Sequence, residues 1–405
     1  MNITKEGVKE LAVYIHLPFC VRKCKYCDFI SGPCTEEVQL SYVNKLLQEI
    51  EWFFTKRREN NQENIEQIRV SSVFFGGGTP SILPAKEIER ILCKLKEHAL
   101  FDPNAEITIE VNPGTVDTPK AGEEGKFEAY RRMGINRLSI GMQSASDEEL
   151  RILGRIHTVK DFDRTYQMAV DAGFENISVD IMYALPGQNY ASFERSLKKA
   201  ALLHPKPKHI SAYSLIVEEG TPFASMDFNA LGIPLPDEDE ERRMYEGAAE
   251  ILGEYGYRQY EISNYALPGF ECRHNLVYWT EREYIGFGIA AASLLDDKRF
   301  TNTKSLEDYL NAPNYESLLD LQTDKEDLSE DEIMSEFVIM GLRLNKGVSA
   351  KEFYQRFSLE LWEAYGEVIE KHEKNGLLTR LSDGGIVLTK EGRNLSNFVM
   401  ADFLE

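Results

Sequence analysis

Six short, β-rich apolar runs alternate with longer amphipathic stretches in the first half of the chain, and this order restricts the possible folds more than any other feature. The apolar runs span residues 12–17, 70–75, 106–111, 137–142, 177–182 and 210–215. The helical patterns between them include residues 37–58, 85–98, 161–172 and 190–203. Such alternation predicts an α/β protein with a parallel sheet of βαβ units. Six units are too few to close the usual eight-stranded barrel.

Three cysteines follow the first apolar run at the spacing C-x3-C-x2-C. Cys20, Cys24 and Cys27 come just after residues 11–17, a run that Pro18 ends. The carboxyl end of a strand is where α/β proteins place their chemistry. Three thiolates on one loop can hold three irons of a [4Fe–4S] cluster and leave the fourth iron open to another ligand.

A zinc knuckle and buried structural cysteines are the alternatives. A zinc site normally needs two C-x2-C-like pairs or histidines at defined spacing, whereas Cys34, Cys93 and Cys272 are scattered singly. A disulfide is less favoured, because nothing in the sequence suggests export. The spacing therefore favours an iron–sulfur cluster.

The composition narrows the class of protein. A chain of 405 residues has room for one large domain and a smaller one. A net charge of −21 argues against nucleic-acid binding and against adhesion to anionic membranes. Residues 1–10 are polar, unlike a signal peptide, and no run approaches the roughly 18 apolar residues of a membrane helix. We therefore expect a cytoplasmic protein without stable membrane insertion.

The longer string around the cysteines, YIHLPFCVRKCKYCDF, begins at Tyr14. It resembles the radical S-adenosylmethionine (SAM) superfamily, in the branch that contains oxygen-independent coproporphyrinogen III oxidases and HemW-type haem chaperones. The resemblance implies an open, partial (β/α)6 barrel, with a [4Fe–4S] cluster on the three cysteines. It also implies SAM as a cofactor and an electron donor that reduces the cluster.

The resemblance further implies a set of residues that contact SAM. Glycines let the backbone approach a ligand closely. A carboxylate in an apolar strand is costly to bury unless it is paired, and a glutamine offers both a donor and an acceptor. The implied set is Tyr14, Tyr26, Gly77, Gly78, Thr79, Glu110, Gln143, Arg155, Asp180 and Ser214.

Several members of this set also have ordinary structural explanations. The segment Gly77-Gly78-Thr79 is implied to meet the methionine amino group of SAM, although a glycine run after a strand also suits a tight turn. Arg155 is implied to face the SAM carboxylate, and Asp180 the ribose, although an isolated arginine is usually a solvated surface residue. His16 lies in the strand before the cysteines, where a histidine is either an ordinary core residue or a group at the cluster edge.

A second motif, H-N-x-x-Y-W, spans residues 274–279 and resembles the signature of the haem chaperones. A neutral imidazole is a common haem ligand, and aromatic rings can stack on a porphyrin. The resemblance therefore implies haem as a further ligand, with His274 in contact with it and Cys272 as a possible thiolate partner. The alternative is an ordinary strand edge.

Three departures from the family patterns bear on whether the chain is more similar to the oxidases or to the chaperones. The oxidases have a further cysteine where this chain has Phe29, and a longer arm before the first strand than the ten or so residues here. Both departures favour a chaperone. In the opposite direction, Ala292 stands where many chaperones have the histidine of a GxGPxAHS-like segment. We keep Ala292 as a candidate cofactor-binding position.

The C-terminal region predicts a second unit. We expect a radical SAM partial barrel over residues 1–225, an extension with the H-N-x-x-Y-W motif over 226–320, and a helical, winged-helix-like domain over 321–405. The acidic stretch 319–331 would separate the domains, and residues 382–385 predict a hairpin. Residues 330–405 carry nine Lys/Arg against fourteen Asp/Glu. A module with this excess of negative charge is poorly suited to binding the phosphates of nucleic acids. The charge favours a role as a lid or as a protein-docking domain.

Three functions fit the sequence. The first is a haem chaperone that binds haem beside a SAM-ligated [4Fe–4S] cluster and transfers it to an acceptor protein. The second is a coproporphyrinogen III oxidase or dehydrogenase. The third is another radical SAM tetrapyrrole enzyme, such as a haem-opening methyltransferase. The residue at position 29 favours the first.

Overall fold

The computed structural model describes residues 8–60, 67–116, 118–119 and 122–404. Most of the polar N-terminal run, on which the expectations about a signal peptide and a short arm depend, lies outside these residues. In the described part of the chain, no helix combines the length and the hydropathy that a membrane crossing requires.

Fourteen strands form one large sheet and one small hairpin in the described residues. Their bounds are β1 Val8–Leu17, β2 Gln67–Gly77, β3 Leu100–Val111, β4 Arg137–Gln143, β5 Asn176–Tyr183, β6 His209–Ser214, β7 Arg258–Gln259, β8 Asn264–Ala266, β9 Tyr284–Phe287, β10 Ala292–Leu295, β11 Lys298–Thr301, β12 Thr323–Asp327, β13 Leu378–Arg380 and β14 Ile386–Leu388.

Fifteen α-helices and three short 3-10 helices (Pro80–Ile82, Pro222–Ser225 and Asp402–Leu404) connect the strands. The α-helices are α1 Glu36–Asn60, α2 Ala85–His98, α3 Lys126–Met133, α4 Asp147–Leu153, α5 Val159–Asp171, α6 Tyr190–Ala201, α7 Glu238–Glu254, α8 Arg273–Trp279, α9 Leu306–Asn311, α10 Tyr315–Asp320, α11 Glu330–Leu342, α12 Ala350–Phe357, α13 Leu361–Lys374, α14 Lys390–Asn394 and α15 Ser396–Ala401.

The predicted parallel sheet is confirmed. Strands β1 to β6 lie side by side in chain order, and every neighbouring pair among them is parallel. Helices cross over between successive strands, so all six carboxyl ends open at one edge of the sheet. The structure is the partial (β/α)6 barrel that the sequence predicts, with a mainly helical C-terminal region.

The sheet is twice as wide as the six apolar runs indicate. On one side β9 pairs in parallel with β1, and the antiparallel strands β10, β11 and β12 follow. On the other side β8 pairs with β6, and β7 pairs with β8. β7 itself has only two residues, Arg258 and Gln259.

The acidic stretch 319–331 contains the edge strand β12. All five residues of β12 are exposed, and ion pairs from Lys298 to Asp327 and from Arg299 to Glu326 join it to β11. Charged side chains are typical of an edge strand that must not pair with another chain. A second apolar core begins beyond β12, formed by α11 to α13, the β13–β14 hairpin and the last helix.

Candidate functional site

The three cysteines lie on a loop that leaves the carboxyl end of β1. The Cys20 N–H donates to the carbonyl of Gly32 at 3.0 Å, and the Gly32 N–H donates to the carbonyl of Pro18 at 3.0 Å. These two bonds close the loop at its base. All three cysteine side chains are partly exposed, so the thiols stand at the open edge of the sheet.

The middle of the same loop is held by two other segments. The Lys25 N–H donates to the carbonyl of Leu153 at the end of α4, and the Phe223 N–H donates to the carbonyl of Lys25, at 3.0 and 3.1 Å. The rings of Tyr26 and Phe223 are 6.5 Å apart. The segment after β6 therefore packs against the cysteine loop, which follows β1. The first and last of the six parallel strands thus contribute to one site.

The glycines after β2 bring a second backbone segment against the loop. The Gly78 N–H donates to the carbonyl of Leu17 at 2.9 Å, and the Thr79 N–H donates to the carbonyl of Phe19 at 2.7 Å. A Cβ on Gly78 would stand 2.6 Å from the Phe19 carbonyl oxygen. A side chain at position 78 would thus separate the two segments.

His16 is buried at the base of this junction. Its ring lies 3.0 Å (Nε2) from the carbonyl oxygen of Ile30 and 3.2 Å (Nδ1) from the hydroxyl of Tyr14. A Cβ on Gly77, whose φ is +108°, would stand 2.7 Å from that ring. Burial lowers the pKa of His16. Both ring nitrogens therefore have protein partners, one on the loop and one on β1, which favours the structural explanation of this histidine.

Arg155 places a buried positive charge beside the cysteines. Its guanidinium lies 3.7 Å from Cys24 Sγ and donates to Asn112 Oδ1 at 2.9 Å and to the carbonyl of Gly141 at 3.3 Å. Its Nε is buried without a protein partner. None of these groups is a carboxylate, so the arginine is oriented to accept a negatively charged ligand.

Two buried carboxyl groups lie across the same cavity. Burial, and then the charge of Asp180, raise the pKa of Glu110 to about 8. Burial also raises the pKa of Asp180, which accepts a hydrogen bond from Ser139 Oγ at 2.9 Å. Arg137, which is almost fully buried, contributes the nearby positive charge. Two acids whose ionisation is costly would favour a ligand with a positive charge or hydroxyl groups.

Gln143 ends β4 with φ 63°, an unusual backbone conformation for a residue other than glycine. Tyr213 donates to its Oε1 at 2.9 Å. Ser214, at the end of β6, donates to Glu241 on α7. These polar groups complete the wall of the cavity.

One cavity of about 670 Å³ collects nearly all the predicted site residues. Its lining includes Tyr14, Cys20, Cys24, Tyr26, Cys27, Gly77, Gly78, Thr79, Glu110, Gln143, Arg155, Asp180, Ser214 and His274. Ala292 is not among the lining residues; it begins β10 and is exposed. Sequence reasoning missed Asn112, Arg137 and Tyr213, although Asn112 stands two residues after Glu110 and could have been found from that position.

His274 lies on a short helix, α8, and not on a strand edge. The side chain is buried, with Nδ1 2.9 Å from Ser72 Oγ and Nε2 2.8 Å from the Tyr278 hydroxyl. Burial lowers the pKa of His274 to about 3, so the imidazole is neutral. An iron could bind Nε2 only if the Tyr278 contact opened.

Cys272 is buried behind the cavity and is not among its lining residues. Its Sγ donates to Glu106 Oε1 at 3.5 Å, and burial raises the pKa of the thiol to about 12. The side chain is therefore a protonated thiol at neutral pH, which weakens its candidacy as a thiolate partner.

The side chains and backbone around the cysteine loop fit a [4Fe–4S] cluster and SAM. The three thiols share one loop, and in the described residues no three Cys, His, Asp or Glu side chains surround a single point as the ligands of one metal ion would. A [4Fe–4S] cluster takes each thiolate on a different iron. The unpartnered Nε of Arg155 and the close approach of Gly78 to the loop suit an amino-acid-like ligand beside it.

Comparisons with known proteins agree with this geometry. Residues 14–200 match the radical SAM superfamily, and residues 328–395 match the HemN C-terminal domain. The chain is 34% identical to the heme chaperone HemW of Lactococcus lactis, with 98% of each chain covered. It is 31% identical to the heme chaperone HemW of Bacillus subtilis, with 97% of this chain and 99% of the relative covered.

Among solved structures, the chain is similar to coproporphyrinogen III oxidase (HemN) from Escherichia coli, a radical SAM enzyme. The TM-score is 0.79 at 24% identity, with 99% of this chain and 92% of that chain covered. At this identity the likeness establishes the fold alone. The full-length similarity to the curated relatives establishes more: this chain belongs to the HemW haem chaperone family of the radical SAM superfamily.

Proposed function

We propose that this protein is a haem chaperone, which binds haem and transfers it to an acceptor protein. The observation that carries the proposal is the full-length similarity to heme chaperones, at 34% identity over 396 residues. The acceptor is a haem-binding apoprotein, and an electron donor reduces the cluster. Six unpaired cysteines suit a reducing cytoplasm.

In this proposal Cys20, Cys24 and Cys27 bind the [4Fe–4S] cluster. The cluster supplies one-electron chemistry toward SAM when both are bound. Arg155 binds the SAM carboxylate, and the backbone at Gly77 and Gly78 binds its amino group. The residues at these positions orient the ligand and exclude water.

Glu110 and Asp180 bind the remaining polar groups of SAM. Burial and the charge of Asp180 raise the pKa of Glu110 to about 8, which favours its protonated form at neutral pH. A neutral carboxyl group can donate a hydrogen bond to a ligand oxygen. Asp180, already hydrogen-bonded to Ser139, faces the ribose hydroxyl groups.

Position 29 favours the chaperone over the oxidase. The oxidases have a cysteine there, whereas Phe29 presents a large apolar side chain that is 61% exposed. An exposed phenylalanine cannot supply a thiol, but it can contact a planar apolar ligand. His274 remains the candidate haem contact in the H-N-x-x-Y-W motif, and the contact of its Nε2 with Tyr278 must open for iron binding.

Haem transfer and oxidase activity can be tested side by side. Protein with a reconstituted cluster is loaded with haem and mixed with an apo-haem protein, and the Soret spectrum of the acceptor is followed. The same preparation is incubated with coproporphyrinogen III, SAM and a reductant. We expect transfer to the acceptor and no decarboxylated porphyrin; porphyrin product without haem transfer would contradict the proposal.

A further inference from the structure

The cavity is too small to enclose haem beside the proposed cofactors. Pockets of roughly 300–1,000 Å³ hold one drug-sized ligand, and this cavity of about 670 Å³ must hold SAM next to the cluster. Haem is itself a ligand of drug size or larger. Haem bound next to both cofactors would therefore lie at the open edge of the cavity and not inside it.

Two exposed apolar side chains stand at that edge. Phe29 follows the cysteine loop and Ile216 follows β6; both line the cavity, and they are 61% and 66% exposed. Their two segments are joined through the contact between Tyr26 and Phe223. Large apolar groups exposed together at a cavity mouth mark a surface that an apolar ligand or partner covers.

Two cations lie at the same edge. Arg22 and Lys23 are exposed residues that line the cavity. Arg22 donates to the carbonyls of Gly154 and Arg155, and Lys23 donates to the carbonyl of Phe29. Within the described residues, no carboxylate forms an ion pair with either cation, although the chain has 67 acidic residues against 46 Lys and Arg.

The neighbouring carboxylates of Asp28 and Glu218 also line the mouth. The mouth is therefore not uniformly positive, and it would not attract every anion. It suits a ligand that combines a flat apolar body with anionic groups on one edge. Haem has this form, because its two propionates project from one side of the macrocycle.

We propose that the cavity mouth is the haem-binding surface, with the macrocycle against Phe29 and Ile216 and the propionates facing Arg22 and Lys23. This inference rests on the proposed function and assigns haem a place within it. A ligand held at the mouth stays accessible to an acceptor protein. The H-N-x-x-Y-W helix, deeper in the cavity, would then approach the inner edge of the macrocycle.

The first test reverses the two charges. Arg22→Glu/Lys23→Glu should raise the Kd for haem about tenfold, because two exposed attractions become repulsions. Lys86→Glu/Lys374→Glu changes the net charge equally at exposed sites elsewhere, 74% and 76% exposed, and should bind haem as the parent does. Iron content reports whether the loop still binds a cluster. If the double variant does not fold, Lys23→Gln replaces it, because this change removes one charge and leaves the hydrogen bonds of Arg22 intact.

The second test changes the ligand. Haem dimethyl ester has no propionate charge, so it should bind the parent more weakly than haem does. The charge reversal should then cause little further loss. An equal loss with haem and with its ester would overturn the role of the propionates.

The third test concerns the apolar contacts. Phe29→Asp and Ile216→Asp should each weaken haem binding several-fold, whereas Leu202→Asp, at a site 65% exposed outside the cavity lining, should not. If the parent binds no haem, the proposed function itself fails. If the parent binds haem and the mouth variants bind it equally well, only this inference fails. If a protein electron donor then reduces the cluster more slowly in the mouth variants, the surface is a docking site for that donor.

Discussion

Arg155 illustrates how much a single buried side chain can specify. A guanidinium away from water is stable only when its donors are matched. Here the guanidinium donates to an amide oxygen, a backbone carbonyl and a thiol sulfur. Its Nε has no protein partner. The remaining capacity suits a carboxylate bound in the planar, two-pronged manner that arginine favours.

We predict that Arg155→Lys weakens SAM binding at least tenfold. Lysine keeps the charge but loses the planar fork, and it cannot reach all three present partners. Equilibrium binding of SAM to the reconstituted protein measures the effect. Arg151→Lys, on the exposed side of α4, is the matched control. Equal SAM affinity in the two variants would remove Arg155 from the SAM site.

Glu49 is a buried carboxyl group outside the cavity. It accepts hydrogen bonds from Tyr309, from the Gly288 N–H and from Asn302, which ties α1 to the β9–β10 loop and α9. Burial raises its pKa from 4.5 to about 7. The unfolded chain releases the proton near pH 4.5, but the folded chain keeps it until about pH 7.

We predict that this group destabilises the fold as pH rises from about 4.5 to about 7, with no further change above that. The shift corresponds to roughly 3 kcal/mol. In Glu49→Gln this contribution to the pH dependence of Tm should disappear, although one accepted hydrogen bond is lost. Glu51→Gln, exposed on the same helix, should keep the parental dependence. An unchanged pH profile in Glu49→Gln would contradict the assignment.

The residues selected from the sequence lie together in the fold, but the electrostatics of their surroundings could not be predicted. Fourteen of the fifteen candidate residues line one cavity, because the cysteine spacing and the resemblance to the radical SAM superfamily were enough to select them. The partners of a buried charge cannot be recognised in this way. Arg137 begins the apolar run 137–142, and nothing local indicates that its charge interacts with those of Glu106 and Asp180.

The junction of β1 and β2 is the element that positions the cysteine loop. Two backbone hydrogen bonds join the segments after the two strands, and Gly78 leaves no space for a side chain there. Backbone atoms cannot move aside as a flexible side chain can. The loop geometry therefore depends on a residue without a Cβ.

We predict that Gly78→Ala reduces cluster content severely, because its Cβ would stand 2.6 Å from the Phe19 carbonyl oxygen. Gly32→Ala, in the same loop but with no heavy atom within 4 Å of the added Cβ, should retain the cluster. Iron and sulfide analysis after reconstitution compares them. Equal cluster content would show that the junction tolerates separation.

The elements that the sequence missed are short. Strands β7 to β12 have two to five residues, too few for an alternating pattern to stand out. β9 pairs with β1 and β8 with β6, so the partners of these two short strands are distant in the chain. The crossover helix α2, by contrast, was predicted with the observed bounds, because an apolar stripe over fourteen residues is distinctive.

The described residues form two large apolar cores, one in the barrel and one near the C-terminus, and a smaller cluster around Phe223. The two large cores meet at polar contacts: the guanidinium of Arg343 lies 4.3 Å from the Trp279 ring, and Arg356 donates to the carbonyl of Glu281 at 3.1 Å. Trp279 is the last residue of the H-N-x-x-Y-W motif. The C-terminal domain thus supports the helix that carries His274.

We predict that Phe353→Ala destabilises the C-terminal core by about 3–5 kcal/mol, because the side chain is fully buried among aromatic neighbours. The barrel has its own core, so cluster content should be retained. Tyr354→Ala, at the next position and 51% exposed, should change stability little. Chemical denaturation followed by circular dichroism distinguishes the variants, and equal midpoints would contradict a separate second core.

The central claim, that this chain binds haem, is tested most directly by an anaerobic haem titration. Protein with a reconstituted cluster is titrated, and the Soret band is followed to saturation. We predict a saturable spectral change at a roughly stoichiometric ratio, with an unchanged cluster. A linear response without saturation, equal to that of haem in buffer, would contradict the account.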